Sequence, residues 1–181
     1  MTEFPFHEKT DAPKDAQPLL EKAEQKYGFV PNILKGMSEA PALLEGYMTL
    51  SGLFDQTSLS PVERQVVLLA VSSENGCPYC MAAHSAAAKM ADAPDDVIAA
   101  LREDKAISDD KLEALRSFTR TVVSTRGNPE ETDIKALLDA GYEKRTVLEV
   151  ILGVGMKTLS NYTNHILDTP LDQAFEPMAW T

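Results

Sequence analysis

Apolar residues along this chain recur every three or four positions. Proline, glycine and serine–proline breaks interrupt them at helix-length intervals, and no segment alternates with period two between hairpin turns. That pattern predicts an all-α protein of roughly eight or nine helices. Asp15 to Lys26 reads as the first, because Leu19, Leu20, Ala23 and Tyr27 repeat at helical spacing and Gly28 stops it. Pro31 opens a short helix through Met37, and Pro41 starts another through Phe54. Ser60-Pro61-Val62-Glu63 is a strong start: a serine cap, proline at the first position, and glutamate three after the cap. The apolar run Val66 to Val71 then predicts a helix that is nearly all buried. Another helix follows Asn75-Gly76. Pro94 begins one to about Glu103, Ser108-Asp109-Asp110 cap one through Thr125, and Thr132 to Ala140 is short. Lys144 to Leu167 is the longest, and Pro170 closes the pattern. Residues 1–13 are proline-rich and polar and read as an extended arm, leaving residues 14–181 as a single helical domain.

Composition narrows the function classes. At 181 residues the chain is long enough to bury a core without staples. Its formal charge of −11 argues against nucleic acid and anionic membranes as partners, since both need basic patches. No run approaches the ~20 apolar residues of a membrane span. The first residues show no basic stretch followed by an apolar one, so the expected location is the cytoplasm. In that reducing compartment a close cysteine pair is more often catalytic or metal-binding than structural.

Both cysteines fall in one phrase, Glu74-Asn75-Gly76-Cys77-Pro78-Tyr79-Cys80-Met81-Ala82-Ala83-His84. Gly76 suits an entering turn and Pro78 a first-turn position, and the alanine-rich continuation favours helix. Cys77 lies three residues before Cys80 and His84 four after it, so two thiols and a base line up on one accessible ridge. Unpaired N–H groups and the positive end of the helix dipole favour thiolate there. An imidazolium nearby would add to that. This is the layout that reversible dithiol–disulfide chemistry needs. No phosphate-cradling loop or dinucleotide fingerprint is present, so no cofactor is expected and electrons should arrive by thiol exchange.

The stretch from Leu59 to His84, an apolar helix followed by Cys-x-x-Cys-x-x-x-His, resembles the core of alkylhydroperoxidase D-like (AhpD-like) proteins. These belong to the wider carboxymuconolactone decarboxylase family. The likeness is strongest over residues 59–91, and the flanking helices resemble the peroxidase-related branch. The resemblance implies an all-helical protomer assembling into trimers or hexamers, with the site near a subunit interface and a disulfide-cycling, thiol-dependent peroxidase or reductase function drawing on a dithiol reductant. Cys80 would be the peroxide-attacking cysteine that becomes a sulfenic acid. Cys77 would resolve it to a disulfide, and His84 would pass protons. The family relay also uses a glutamate twelve residues before the first cysteine, where this chain has Gln65. Glu74 and Glu63 are the carboxylates expected to compensate, Glu74 preferred because it lies three residues before Cys77. True decarboxylases of the family lack the cysteine pair, which disfavours that chemistry.

Two other readings compete. The dithiol could serve only disulfide reduction or oxidation of a protein partner. Alternatively the chain could be a non-catalytic oligomeric scaffold or a metal-binding protein, with Cys77, Cys80, His84 and His165 as ligands. Three ligands on one helical stripe are unlike loop-borne structural zinc sites. Asn161 and His165, four apart, would otherwise lend polar groups to the site from the last helix. Gly153 and Gly155 inside that helix each cost about 1 kcal/mol relative to alanine, which points to close helix packing, within the protomer or across a subunit interface. The methionines and Trp180 read as core or surface filler.

Overall fold

The structure, a computed structural model, describes residues 3–180, and among them it is all-helical. Nine α-helices run in order: α1 Gln17–Tyr27, α2 Asn32–Met37, α3 Pro41–Phe54, α4 Pro61–Glu74, α5 Pro78–Met90, α6 Asp95–Arg102, α7 Asp110–Ser124, α8 Glu131–Asp139 and α9 Lys144–Leu167. A 3-10 helix, Gln173–Met178, follows where the sequence pattern had closed at Pro170. The expected all-α class and the expected helix order hold.

Local chemistry explains the boundaries. Gly28 ends α1 in the left-handed region at φ 81° and donates its N–H to Glu24. Ser60 and Glu63 form a reciprocal box: Ser60 Oγ accepts from Glu63 N at 3.2 Å, and Glu63 Oε2 accepts from Ser60 N at 2.8 Å. Asp109 caps α7 by accepting from Leu112 N. Gly76, at φ 62°, turns the chain from α4 into α5.

Helix α4 is the hub, packed against α5, α6, α7 and α9, and Val66 to Ser72 are buried without a break. A helix apolar all round belongs inside other helices. Two cores form, the first around it. One joins Phe54, Val67, Leu69, Met81, Leu115, Phe118 and Met156. The other joins Leu20, Ile33, Leu34, Met37 and Leu44 with Cys77, Tyr79 and Cys80. The first turn of α5 therefore lies along the seam between them. Across it runs α9, which packs on α2, α3, α4, α5 and α7. Gly153 is accounted for within the protomer: a Cβ there would lie 2.7 Å from the Phe54 ring and 2.9 Å from Val67. Gly155 faces open space. No helix among the described residues is long and apolar enough to cross a membrane.

Candidate active site

Cys77 is the N-cap of α5 and Cys80 sits in its first turn. The turn is fixed by Cys77 N donating to Ser72 O at 2.9 Å and Met81 N donating to Cys77 O at 3.0 Å. Both cysteines are free thiols. They are not on an exposed ridge: Cys77 is fully buried and Cys80 is 2% exposed. The reason is the second core, which folds α2 and α3 over the first turn of α5. Cys80 instead opens into a cavity of about 350 Å³. Tyr27, Phe29, Ile33, Tyr47, Ala87 and Phe175 are among its apolar walls, and its polar groups include Cys80, His84, Lys157, Ser160 and Asn164.

Helix α9 supplies most of that polar end. Asn164 Nδ2 donates to Cys80 Sγ at 3.2 Å, and Ser160 Oγ lies 3.9 Å from the same sulfur. Lys157 is fully buried, and its Nζ is 2.7 Å from His84 Nε2. Asn161 accepts from Asn75 and donates to Ser72, tying α9 to the turn before the cysteines. Asn164 Oδ1 is buried with no partner.

The histidine's tautomer follows from its neighbours. An ammonium can only donate, so Nε2 of His84 accepts from Lys157. A neutral ring then carries its proton on Nδ1, which donates to Gln65 Oε1 at 3.0 Å. Burial first, and the Lys157 charge second, push the His84 pKa well below its ordinary value, which keeps the ring neutral.

The charges are arranged around the sulfur. Burial opposes ionisation of Cys80, but the neighbouring Cys77 thiol and the Lys157 ammonium outweigh it and hold its pKa well below the usual thiol range. Cys77 moves the other way, because its proton serves Cys80 and because it is desolvated. Lys157 stays charged despite burial, its pKa raised by Cys80, Tyr47 and Cys77. The site at neutral pH is thus a buried thiolate–ammonium pair with a neutral imidazole beside it. The cation is the ammonium of Lys157, where the sequence had suggested an imidazolium.

The other residues singled out in the sequence lie elsewhere. Glu74 accepts from Arg120 Nε at 2.9 Å. Glu63 is held in the Ser60 cap and by Lys111 Nζ at 3.2 Å. His165 is exposed. Cys77, Cys80 and His84 share one helix, and Gln65 joins them from α4. Lys157, Ser160 and Asn164 were not singled out. A signal for them existed: they fall on the same face of α9 as Val150 and Gly153, so a lysine occupies a core position.

Similarity to known proteins is consistent with this architecture. Residues 41–121 match the model of the carboxymuconolactone decarboxylase family. A structure described as an alkylhydroperoxidase AhpD core, an uncharacterized peroxidase-related protein from Ralstonia eutropha JMP134, superposes with a TM-score of 0.86 at 22% identity, covering 97% of this chain and 95% of that one. An uncharacterized peroxidase-related protein from Silicibacter sp. TM1040 gives 0.81 at 22% identity over 96% and 92% of the two chains. The debrominase Bmp8, as a cysteine-to-alanine variant in complex with 2,3,4-tribromopyrrole, gives 0.82 at 19% identity over 98% and 96%. Comparison with curated proteins gave no match. Fold and matched segment together define an AhpD-like helical protein. Its residues 41–121 are the part that matches the carboxymuconolactone decarboxylase family model.

Proposed function

We propose that this protein is a thiol-dependent oxidoreductase that reduces hydroperoxides through a Cys77–Cys80 dithiol–disulfide cycle. The observation that carries the reading is a buried cysteine lining an apolar cavity, its Sγ accepting from Asn164 and its ionisation favoured by the Cys77 thiol and then by the Lys157 ammonium. A hydroperoxide enters with its organic part against the aromatic walls. Its O–H donates to the unpartnered Oδ1 of Asn164, an acceptor otherwise left unsatisfied at about 1–3 kcal/mol. The Cys80 thiolate attacks the terminal oxygen and the O–O bond breaks. Cys80 becomes a sulfenic acid, and the departing alkoxide takes a proton from Lys157 to leave as an alcohol. Cys77 then attacks the Cys80 sulfur. The S–S bond forms, and the Cys77 proton leaves with the displaced hydroxide as water. Lys157 regains its proton from Cys80 when the disulfide is reduced, and the neutral His84 ring, oriented by Gln65, holds the lysine in place by accepting its hydrogen bond. A dithiol reductant able to enter the cavity restores both thiols. Glu74, Glu63 and His165 take no part, because the carboxylates are engaged by Arg120 and the Ser60 cap and the histidine is exposed.

This geometry favours a peroxidase over a protein disulfide reductase, since exchange with a protein needs a sulfur that a partner's disulfide can reach. The test is thiol counting: reduced protein mixed with an alkyl hydroperoxide loses two thiols for one peroxide consumed. Two thiols persisting through turnover overturn the mechanism. Cys80→Ser abolishes peroxide consumption, and Cys77→Ser leaves a sulfenic acid trappable by a dimedone probe.

A further inference from the structure

Neither cysteine lies at the surface, yet the dithiol that closes the proposed cycle has to reach one of them. The wall of the cavity that yields most easily is the one with the least apolar burial. Helices α1, α2, α3, α5 and α9 all line it and all bury side chains in the cores. The 3-10 helix Gln173–Met178 buries none, although Ala174 and Phe175 line the cavity. From Pro170 to Trp180, all of them described residues, the one buried side chain is a carboxylate, Asp172, 8% exposed.

That carboxylate works as a latch. Its two oxygens accept from Asn32 N at 3.1 and 3.2 Å, and one of them also accepts from the Tyr79 hydroxyl. Asn32 begins α2, and Tyr79 stands between the two cysteines in the first turn of α5. Phe175 N donates to Asp172 O at 2.8 Å, so the same turn sets the Phe175 ring edge-on against Phe29 and Tyr79. The ends of the segment are tied without Asp172. Asn32 Nδ2 donates to Pro170 O at 3.1 Å, and Arg102 donates to Met178 O and Ala179 O at 2.9 and 2.8 Å. A stretch held at both ends and latched between them by hydrogen bonds opens without unfolding either core. We propose that Asp172 is a positioning residue that keeps residues 171–177 as a hinged wall of the cavity, and that its release from Asn32 and Tyr79 admits the dithiol to Cys80. The dithiol's role rests on the proposed cycle, whereas the opening is measurable without it. Closed, the wall admits reactants that fit the cavity; a bulkier dithiol waits for release. Once inside, it gives up two electrons and two protons to become a disulfide, and Cys77 and Cys80 return to thiols.

Access is read by alkylating Cys80 with iodoacetamide and with the bulkier fluorescein maleimide, in a Cys77→Ser background so that one thiol reports. The ratio of the two rates cancels the ionisation of that thiol. Asp172→Ala is expected to raise the maleimide-to-iodoacetamide ratio about tenfold, the factor for a hydrogen bond to a charged group. Tyr79→Phe keeps the ring, removes one partner of the latch, and is expected to raise it about threefold. An unchanged ratio, or equal rises with both reagents as general loosening would give, overturns the proposal. Should Asp172→Ala fail to fold, hydrogen exchange in the unaltered protein decides. The Asn32 amide, whose acceptor is the Asp172 side chain, is expected to exchange at least about a hundredfold faster than those of Val67 to Leu69, with little dependence on urea. Exchange as slow as theirs, or with their urea dependence, overturns the hinged wall. Peroxide enters neither measurement, so failure of the cycle and failure of the wall are separate results. The link between them is read on the oxidised chain with Cys77 and Cys80 intact. Asp172→Ala is expected to speed its reduction by the peptide Cys-Gly-Gly-Cys about tenfold and to leave reduction by dithiothreitol nearly as it was. An unchanged peptide rate overturns the wall's part in reduction.

Discussion

A lysine and a cysteine buried together each make the other's charge tolerable, and the loss of one strands its partner. Lys157→Met keeps the length of the side chain but removes the ammonium, leaving burial opposed at Cys80 by hydrogen bonds alone, that from Cys77 first. The pH midpoint of Cys80 alkylation is then expected to rise by at least about 1.5 pH units, equivalent to about 2 kcal/mol, with slower peroxide reduction at pH 7. Iodoacetamide rates across pH measure it, and an unmoved midpoint means that Lys157 does not set the thiolate. Gln65→Glu places a carboxylate on His84 Nδ1, so the ring's pKa, now well below its ordinary value, is expected to rise by at least about one pH unit, as read by NMR titration. At this scale the sequence was half legible. The Cys77–Cys80–His84 spacing is local, because one helix turn places it, and position 65 could be marked as unusual. Lys157 could not be paired with Cys80 by any spacing, since 77 residues separate them.

Helices begin and end where neighbouring side chains satisfy the orphan backbone groups, which is why their limits could be read in advance. The Ser60 box, the Asp109 cap, Gly28 and Gly76 act within four residues of the groups they satisfy. Removing one has a modest effect: Ser60→Ala is expected to lower stability by about 1 kcal/mol in urea unfolding. Gly153→Ala is expected to lower it by about 1–3 kcal/mol, because the added methyl enters space held by Phe54 and Val67. Equal or greater stability for Gly153→Ala would mean that α9 shifts to make room. The helix Gln173–Met178 was not foreseen, because its reasons are distant. Asp172 accepts from Asn32 N at 3.1 Å and from the Tyr79 hydroxyl, and Phe175 packs edge-on against Phe29 and Tyr79. A residue read as filler, Trp180, donates to Arg102 O at 2.8 Å and pins the same segment to α6.

For the molecule as a whole, the shifted groups set a pH dependence of stability. Cys80 ionises in the folded protein below its ordinary 9.0, whereas the unfolded chain still holds that proton. The unfolded state therefore binds more protons, and stability rises with pH up to about 9 and is lost as pH falls through the folded value. His84, depressed below 6.5, adds to the loss under acid. Cys77 and Lys157 have raised values, so their contributions fade above 9.0 and 10.5 respectively. Urea unfolding of the reduced protein should show stability climbing between pH 7 and 9 by up to about 1.4 kcal/mol per pH unit for one proton, and Cys80→Ser should flatten that climb. A wild-type curve already flat there would mean that Cys80 is not ionised in the fold.

The distance along the chain from Cys80 to Lys157 has a consequence for biosynthesis. A nascent polypeptide that has emerged only as far as α8 already contains both sulfurs but lacks the ammonium whose charge favours the thiolate of one of them, and it lacks Phe175 from the cavity wall. On the proposed reading, oxidant sensitivity is acquired only once α9 has been made and has docked, and a chain without it is spared from being oxidised before it can be repaired.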